Sequence, residues 1–165
     1  ELLQTDNFQL AVLGTGEREY EDFFRSMAGR YPGRVSANIM YDEGLARLLY
    51  AGSDLFLMPS KFEPCGLSQL IAMKYGSLPI VRETGGLKDT VQPYDEYKDK
   101  GFAFSFANYN AHDMAYTIRR AVNICREEKL KAKLMRRAMK KDYSWNKSAG
   151  LYMELYNSLI KEMDQ

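Results

Sequence analysis

The segment PSKFEPCGL, residues 59–67, combines a carboxylate, a thiol and a glycine in front of a run with helical spacing. The amides of Gly66 and Leu67 would open that helix, where unpaired N–H groups and the helix dipole favour a phosphate. A carboxylate is not stabilised by a phosphate, because both are negatively charged. Glu63 is therefore better suited to accept hydrogen bonds from neutral donors such as sugar hydroxyls. The other interpretation is an exposed loop glutamate followed by Cys65 as a small buried filler.

Two glycine-containing loops follow other apolar runs: GTGE at residues 14–17 and TGG at residues 84–86. Gly14 and Gly16 let the backbone pass close to a ligand, but the third glycine of a dinucleotide fingerprint is missing, and a tight turn explains the motif as well. Thr84, Gly85 and Gly86 predict a compact loop with unobstructed amides at another helix start, which suits an oxyanion or a phosphate. A turn with two permissive glycines is the alternative.

Tyr41 follows the second apolar run and can stack on a nucleotide base. The alternative is a partly buried tyrosine next to Asp42, which would cap a helix. Because open parallel sheets bind ligands outside the carboxyl ends of their strands, all four loops would face the same ligand. Together they predict a site for a nucleotide and a polar substrate, held by helix amino termini and backbone amides.

Metal and histidine chemistry have little support in the sequence. His112 is the only histidine, no nucleophile motif lies near it, and we expect it at the exposed start of a helix. Cys65 and Cys125 lie sixty positions apart without a CxxC pair, which argues against a zinc site or a disulfide and favours a reducing compartment. We therefore expect no metal and no cofactor.

Short apolar runs alternate with helical patterns along the chain. The runs predict strands at residues 9–14, 35–40, 54–59, 77–82 and 101–106. Apolar spacings of three and four predict helices at residues 17–31, 43–52, 67–76, 111–126, 126–143 and 144–163. Several runs are continuous rather than alternating, which is typical of strands covered on both faces. The pattern predicts an α/β fold, a doubly wound Rossmann-like parallel sheet with a helical carboxyl-terminal tail.

Two helical segments carry apolar stripes, and a third is strongly basic. The apolar stripe of residues 67–76 consists of Leu67, Leu70, Ile71 and Tyr75, and that of residues 144–163 of Tyr152, Leu155, Tyr156, Leu159 and Met163. We interpret the second stripe as core packing rather than a sugar platform, although in a longer protein it could pack across to another domain. Residues 126–141 carry eight Lys or Arg against two Glu, which we interpret as a solvated helix rather than a surface for an extended polymer such as a nucleic acid.

The composition indicates one globular domain. The chain has 165 residues, a formal net charge of +1, 45 % apolar and 27 % charged residues. The longest apolar runs are too short to span a bilayer, and we expect no signal peptide. We expect neither a nucleic-acid nor a membrane partner.

The motif pair FEPCGL and TGGL, with VLGTGE and MYDEGLARLLYAGSD before it, closely resembles the carboxyl-terminal half of bacterial glycogen synthases and plant starch synthases. The similarity covers essentially the whole chain, including the terminal DYSWNKSAGLYMELY. It implies a retaining glucosyltransferase of the GT-B fold that moves glucose from a nucleotide-glucose, usually ADP-glucose in bacteria, to the non-reducing end of an α-1,4-glucan. It also implies a cytoplasmic protein, or a plastid one in a plant.

The resemblance divides the chain and assigns roles by position. Residues 1–143 would form a nucleotide-sugar-binding Rossmann-like domain, truncated at its amino terminus, and residues 144–165 a closing helix. The implied catalytic residue is Glu63, the substrate-binding residues are Cys65, Gly66, Leu67, Thr84, Gly85 and Gly86, and the nucleotide-binding residues are Gly14, Gly16 and Tyr41. Related transferases often hold the ribose with a second glutamate eight positions after the first. Ile71 stands there, a departure that synthases of this family share.

The resemblance also implies parts that this sequence lacks. An arginine and a lysine that neutralise the leaving diphosphate belong to a unit preceding QLAVLG, and an amino-terminal GT-B domain supplies the acceptor side. We therefore expect the chain to contribute the donor-nucleotide half of the site, to bind ADP-glucose or ADP, and to be inactive alone. A covalent mechanism would need a second carboxylate, for which Asp54 and Glu83 are the candidates.

Other functions remain open from the sequence. A different GT-B transferase could use a UDP-sugar, and the chain could be a non-catalytic nucleotide- or glucan-binding module. A dinucleotide dehydrogenase is the weakest alternative, because the glycine fingerprint is incomplete.

Overall fold

The computed structural model describes residues 1–163 and shows an α/β fold with parallel strands, as predicted. The strands are β1 (Leu10–Leu13), β2 (Val35–Asn38), β3 (Leu55–Met58), β4 (Leu78–Arg82) and β5 (Phe104–Phe106). The helices are α1 (Leu2–Thr5), α2 (Arg18–Arg30), α3 (Glu43–Gly52), α4 (Ser68–Tyr75), α5 (Gly85–Thr90), α6 (Ala111–Cys125), α7 (Glu128–Met139) and α8 (Trp145–Met163). Every predicted strand is present but shortened, and the sequence did not predict α1.

The strands pair in parallel but form two hydrogen-bonded pieces. In one piece β1 pairs with β2, with Leu10 opposite Val35. In the other, β4 lies between β3 and β5, with Leu55 opposite Leu78. Parallel pairing puts the loop after β1 beside the loop after β2, and the loop after β3 beside the loop after β4.

The hydrophobic core is built around β4. Residues 78–81 of this strand are all buried. Most of the other buried apolar side chains come from β5, the segment before it, and helices α4 to α7: Met73, Leu87, Val91, Tyr94, Phe102, Ala103, Phe104, Ile118, Ala121, Cys125, Leu134 and Ala138. A central parallel strand covered by helices on both faces explains why this apolar run is continuous.

Strands β1 and β3 are less buried than their continuous apolar runs predict. Leu57 of β3 and Ala11 of β1 are exposed, and the other residues of the two strands are at most half-buried. Helix α2 has no buried residue, and its Tyr20 and Phe23 are exposed. The prediction of coverage on both faces is therefore wrong here, because β1 and β3 are edge strands of two separate pieces.

Helix α4 buries a different face from the predicted one. Leu67, Ile71 and Tyr75 are exposed, whereas Gln69, Ala72 and Met73 are buried. The buried set also fits a 3.6-residue period, and it continues to Gly76, where a Cβ would lie 3.1 Å from the Met135 methyl group. The small residues on this face let α7 pack closely against α4. This close packing decides which face is buried, although the other face has the larger apolar side chains.

Helix α8 presents its apolar side chains to solvent. Tyr152, Leu155, Tyr156 and Leu159 are exposed, as is Trp145, which is 89 % exposed. The interpretation of this stripe as core packing is therefore wrong for these residues, while the side chain of Met163 lies outside the described residues, as do residues 164–165. Within residues 1–163, no helix combines the length and apolar content that a membrane crossing needs.

Helix α7 is a solvated basic helix, as interpreted from the sequence. Its Leu134 and Ala138 are buried, and its charged side chains reach neighbouring loops. Lys133 and Arg137 both pair with Asp99, at 2.5 and 2.9 Å. Hydrogen bonds from Arg137 and Lys133 lower the pKa of the Asp99 carboxyl to about 2. The basic residues thus bind α7 to the loop before β5.

His112 lies exposed in the first turn of α6, as expected. The Asn110 side chain caps this helix by accepting a hydrogen bond from the Asp113 amide at 2.8 Å. This position explains the histidine without a catalytic role.

Candidate functional site

The loop after β3 and the loop after β4 contact each other through their backbones. The Gly86 amide lies 3.2 Å from both the Glu63 and the Pro64 carbonyl oxygens. A Cβ at Gly85 would collide with the Glu63 carbonyl, and one at Gly86 with the Cys65 backbone. The structure therefore brings together the predicted residues of these two loops, and the glycines are required for the contact.

This contact changes the expected role of the TGG loop. The Gly86 amide is already donated to the preceding loop, so the expectation of unobstructed amides is wrong for Gly86. The Gly85 amide makes no hydrogen bond within residues 1–163. Only part of this loop is therefore available to an anion.

The start of α4 offers donors beside Glu63. Gly66 has φ +73° and is buried, which turns the chain into the helix. The amides of Gly66, Leu67 and Ser68 have no acceptor among the described residues. Because the first amides of a helix have no intrahelical partner, these three donors are available to an oxyanion.

The Glu63 and Cys65 side chains are accessible. Glu63 is half-buried, and its carboxylate makes no hydrogen bond within the described part of the chain. Cys65 is exposed, so its alternative interpretation as a buried filler is wrong. A neutral donor group bound near the start of α4 would find the Glu63 carboxylate free to accept a hydrogen bond.

Gly14 and Gly16 lie at the carboxyl end of β1. The Gly14 amide donates to the Asn38 carbonyl at 3.1 Å, which ties the GTGE loop to the end of β2. The Gly16 amide donates to the Glu21 carboxylate at 3.0 Å. A ligand at the start of α2 would therefore compete with the Glu21 side chain.

Tyr41 projects from the loop after β2. Its ring is 83 % exposed, so the alternative of a partly buried tyrosine is wrong. Its hydroxyl donates to the Glu43 carboxylate at 2.8 Å, and this hydrogen bond raises the pKa of Tyr41. Asp42 caps α3 by accepting from the Leu45 amide at 2.9 Å, as the sequence suggested. An exposed ring on a capped helix start is suited to stacking on a planar ligand.

The predicted residues thus form two groups. In the first group, the segment from Glu63 to Leu67 contacts the TGG loop. In the second group, Gly14 is hydrogen-bonded to Asn38, which ends β2 three positions before Tyr41. No hydrogen bond within residues 1–163 joins one group to the other.

The candidate second carboxylates differ in position. Asp54 precedes β3 and pairs with Lys131 at 3.1 Å, which puts it at the opposite end of the strand from Glu63. Glu83 follows β4 and accepts a hydrogen bond from the Ser105 hydroxyl at 2.7 Å. Only Glu83 therefore lies at the same edge of the sheet as Glu63.

Three residues that support the site were missed from the sequence. Gln69 is fully buried and donates to the Cys65 and Gly66 carbonyls, and Thr90 donates to the Gly86 carbonyl. Arg82 donates to the Lys61 carbonyl at 2.5 Å. Gln69 could have been identified from the sequence, because it is a polar residue three and four positions before Ala72 and Met73 on one helical face. Nothing in the sequence pointed to Thr90 or Arg82.

The described residues contain no group of three or more His, Cys, Asp or Glu side chains arranged to hold a metal ion. The donors of the site are instead backbone amides, and its acceptor is the Glu63 carboxylate. Such a set binds an oxyanion and a hydroxyl-bearing ligand.

Comparison with known proteins gives relatives of high similarity. The chain is 55 % identical to a glycogen synthase of Clostridium novyi (strain NT) and 56 % identical to one of Geobacillus thermodenitrificans (strain NG80-2), over 97 % of this chain in each case. The chain covers 33 % of each of those proteins, so it spans about a third of the length of the curated relatives it matches.

The fold matches solved structures of similar enzymes. The catalytic domain of starch synthase IV from Arabidopsis thaliana, bound to ADP and acarbose, superposes with a TM-score of 0.81 and 36 % identity, over 94 % of this chain and 33 % of that one. This likeness confirms the GT-B type of α/β fold that the resemblance implied. The family model described as glycosyl transferases group 1 matches residues 1–141. The chain therefore belongs to the group 1 glycosyl transferase family.

Proposed function

We propose that the protein to which this chain belongs is a glycogen or starch synthase. It transfers glucose from ADP-glucose to the non-reducing end of an α-1,4-glucan with retention of configuration. The observation that carries the proposal is the free Glu63 carboxylate beside three unpaired amides at the start of α4. Similarity to glycogen synthases and to a starch synthase structure holding ADP supports the same activity.

The start of α4 receives the diphosphate of the donor. The amides of Gly66, Leu67 and Ser68 donate to phosphate oxygens, and the helix dipole favours the negative charge that grows as ADP leaves. Gly85 adds one further amide from the TGG loop, while Gly86 holds that loop against Glu63. Thr84 precedes these glycines and lies with them near the phosphates and the sugar.

Glu63 acts on the glucose. Its carboxylate accepts hydrogen bonds from sugar hydroxyls and stabilises the positive charge that develops at the ring as the C1–O bond breaks. We assign no nucleophile, because Asp54 is paired at the other end of β3 and Glu83 already accepts from Ser105. Cys65 lies next to the sugar as part of the loop backbone, and the reaction needs no metal.

Tyr41 and the GTGE loop receive the nucleoside. The exposed Tyr41 ring stacks on adenine, and Gly14 and Gly16 let the backbone pass close to it. Stacking is tolerant of base identity, so the preference for ADP over UDP is carried by groups around the base that a donor comparison must identify.

The remainder of the protein completes the site. Since the chain spans about a third of its relatives' length, the acceptor side and the cations for the diphosphate come from elsewhere, including an amino-terminal GT-B domain. The exposed apolar side chains of α8, such as Tyr152 and Tyr156, form a surface against which that part can pack. We also propose a cytoplasmic location, consistent with two unpaired cysteines.

The direct test is a transfer assay on the complete protein with ADP-glucose, UDP-glucose and a glycogen acceptor. We expect α-1,4 elongation from ADP-glucose, with the retained anomer seen by NMR, and none from this chain alone. Elongation from UDP-glucose only would identify a different GT-B transferase. Nucleotide binding without elongation from either donor would identify a binding module and refute the proposal.

A further inference from the structure

The buried amide of Gln69 joins the loop that carries Glu63 to the rest of the site. Its Nε2 atom lies 3.2 Å from the Cys65 carbonyl oxygen and 2.9 Å from the Gly66 carbonyl oxygen. The side chain is 0 % exposed, so water does not compete for these hydrogen bonds. Both acceptors are backbone atoms directly after Glu63 and Pro64, so the amide fixes the course of that loop.

The connection continues through Thr90 to the TGG loop. Gln69 Nε2 also lies 3.2 Å from the Thr90 hydroxyl oxygen. That hydroxyl donates to the Gly86 carbonyl at 2.6 Å. On its other side, Gly86 donates its amide to the Glu63 and Pro64 carbonyls. Gln69 and Thr90 therefore close a ring of hydrogen bonds around the contact between the two loops.

The glutamine is an energetically unfavourable choice for its position. Its Oε1 atom is buried and has no hydrogen-bond partner within residues 1–163. Rotating the amide would give Oε1 the place of the donor and set it against two carbonyl oxygens, so the observed orientation is required. A buried acceptor without a partner costs stability. An apolar residue of similar size would fill α4 without this cost, but it would release the Cys65 and Gly66 carbonyls.

We propose that Gln69 and Thr90 are positioning residues that hold the Glu63 loop against the TGG loop in the geometry needed for glucosyl transfer. This inference rests on the proposed function. In this proposal neither side chain contacts the ligand, and Gln69 is fully buried. They act through the backbone of residues 63–66, which sets the distance between the Glu63 carboxylate and the amides at the start of α4.

The structural half of the proposal is tested on this chain by hydrogen exchange at the Gly86 amide. Thr90→Val keeps the shape of the side chain and removes the hydroxyl, whereas Thr90→Ser keeps the hydroxyl. We expect exchange at Gly86 to be at least about fivefold faster in Thr90→Val and close to the parent rate in Thr90→Ser, because local opening governs exchange. Equal rates in all three proteins would overturn the proposal.

A second substitution guards against unfolding. Gln69→Met keeps the length of the side chain and removes both polar atoms. Labelling of the buried Cys125 thiol reports loss of the fold, so a variant in which Cys125 stays protected is folded. We expect faster Gly86 exchange in Gln69→Met with Cys125 still protected. Should Thr90→Val expose Cys125, Gln69→Met alone decides the question.

The functional half is tested by kinetics on the complete protein. Misplacement of a catalytic group by about 1 Å can cost on the order of a hundredfold in rate. We therefore expect Thr90→Val to lower kcat by about tenfold or more, with the KM for ADP-glucose within about twofold and kcat restored by Thr90→Ser. An unchanged kcat, or a loss that Thr90→Ser shares, would leave Thr90 a merely structural residue and overturn the proposal.

The two proposals fail in different ways. If the parent protein transfers no glucose, the proposed function fails, and the exchange result still reports whether Gln69 and Thr90 hold the loops. If the parent is active and the variants match it, only the positioning role fails.

Discussion

The Gly86 amide lies 3.2 Å from the carbonyl oxygen of Glu63, so the loop after β4 holds the loop that carries the candidate catalytic carboxylate. Glu63 and Gly86 are more than twenty positions apart in the sequence, yet their backbones are hydrogen-bonded at the carboxyl edge of the sheet. A glycine is needed at position 86, because any Cβ would meet the Cys65 backbone.

This contact predicts that Gly86→Ala destabilises the protein. Backbone atoms cannot move aside as a flexible side chain can, so we expect the free energy of unfolding to fall by about 1–3 kcal/mol. Urea denaturation followed by circular dichroism measures the change. Gly16→Ala is the matched control, since no atom lies within 4 Å of its Cβ position, and it should change stability by less than about 0.5 kcal/mol. Equal effects of both substitutions would refute this account of the loop contact.

The role of Glu63 predicts a separation of binding from transfer. In the complete protein, we expect Glu63→Gln to reduce kcat by about a hundredfold to a thousandfold, as when one stabilising group is removed from a transition state. Affinity for ADP, measured by calorimetry, should stay within about twofold, because ADP lacks the sugar on which Glu63 is proposed to act. Glu83→Gln is the control carboxylate. A larger loss of kcat in Glu83→Gln would assign the charge-stabilising role to Glu83 instead.

Asp99 predicts a loss of stability in acid. Its pKa is lowered to about 2 in the folded protein from an ordinary 3.8. The ionised carboxylate therefore stabilises the fold fully above the unfolded pKa, and this contribution is lost as the pH falls from about 4 to about 2. Asp99→Asn should lower the Tm at pH 6 and show a smaller further drop between pH 4 and pH 2 than the parent. Asp89 forms neither of these ion pairs. Thermal unfolding of the control Asp89→Asn should therefore follow the parent curve.

The two cysteines should react at very different rates. Cys65 is exposed, whereas burial raises the pKa of the Cys125 thiol to about 11. The thiolate is the reacting form, so we expect an aromatic disulfide reagent at pH 8 to modify one thiol per native chain and two in urea. Mass spectrometry of the native product should locate the label at Cys65. Labelling of Cys125 in the native state would contradict its placement in the core.

Local patterns in the sequence predicted much of the fold. Short apolar runs located all five strands, and the continuous run of β4 correctly indicated a strand covered on both faces. The same pattern misled for β1 and β3, because whether a strand is central or at an edge depends on pairing that no local run records. In α4 two faces have helical spacing, and the small residues Ala72 and Gly76 on one of them decided which face packs against α7.

The site was predictable in its residue types but not in its connections. Strand ends, glycines and helix starts pointed to the loops of Glu63 and Gly86, because ligands bind at the carboxyl edge of parallel sheets. That the Gly86 amide is already engaged could not be foreseen, since the contact joins residues distant in sequence. The ring of hydrogen bonds through Gln69 and Thr90 is of the same kind. The role of a buried polar residue depends on its hydrogen-bond partners, which are identified only in the folded structure.

The most direct test of the proposed nucleotide site is a calorimetric titration of this chain with ADP and with UDP, repeated on Tyr41→Ala and on Tyr97→Ala. Tyr97 is a fully exposed tyrosine in the loop before β5 and serves as the control. Since base stacking on an aromatic ring contributes about 1–3 kcal/mol, Tyr41→Ala should weaken ADP binding by about tenfold to a hundredfold. We predict that ADP binds more tightly than UDP and that only Tyr41→Ala reduces its affinity. Equal binding of UDP, or ADP binding that Tyr41→Ala leaves unchanged, would contradict the assignment of this edge of the sheet as an ADP site.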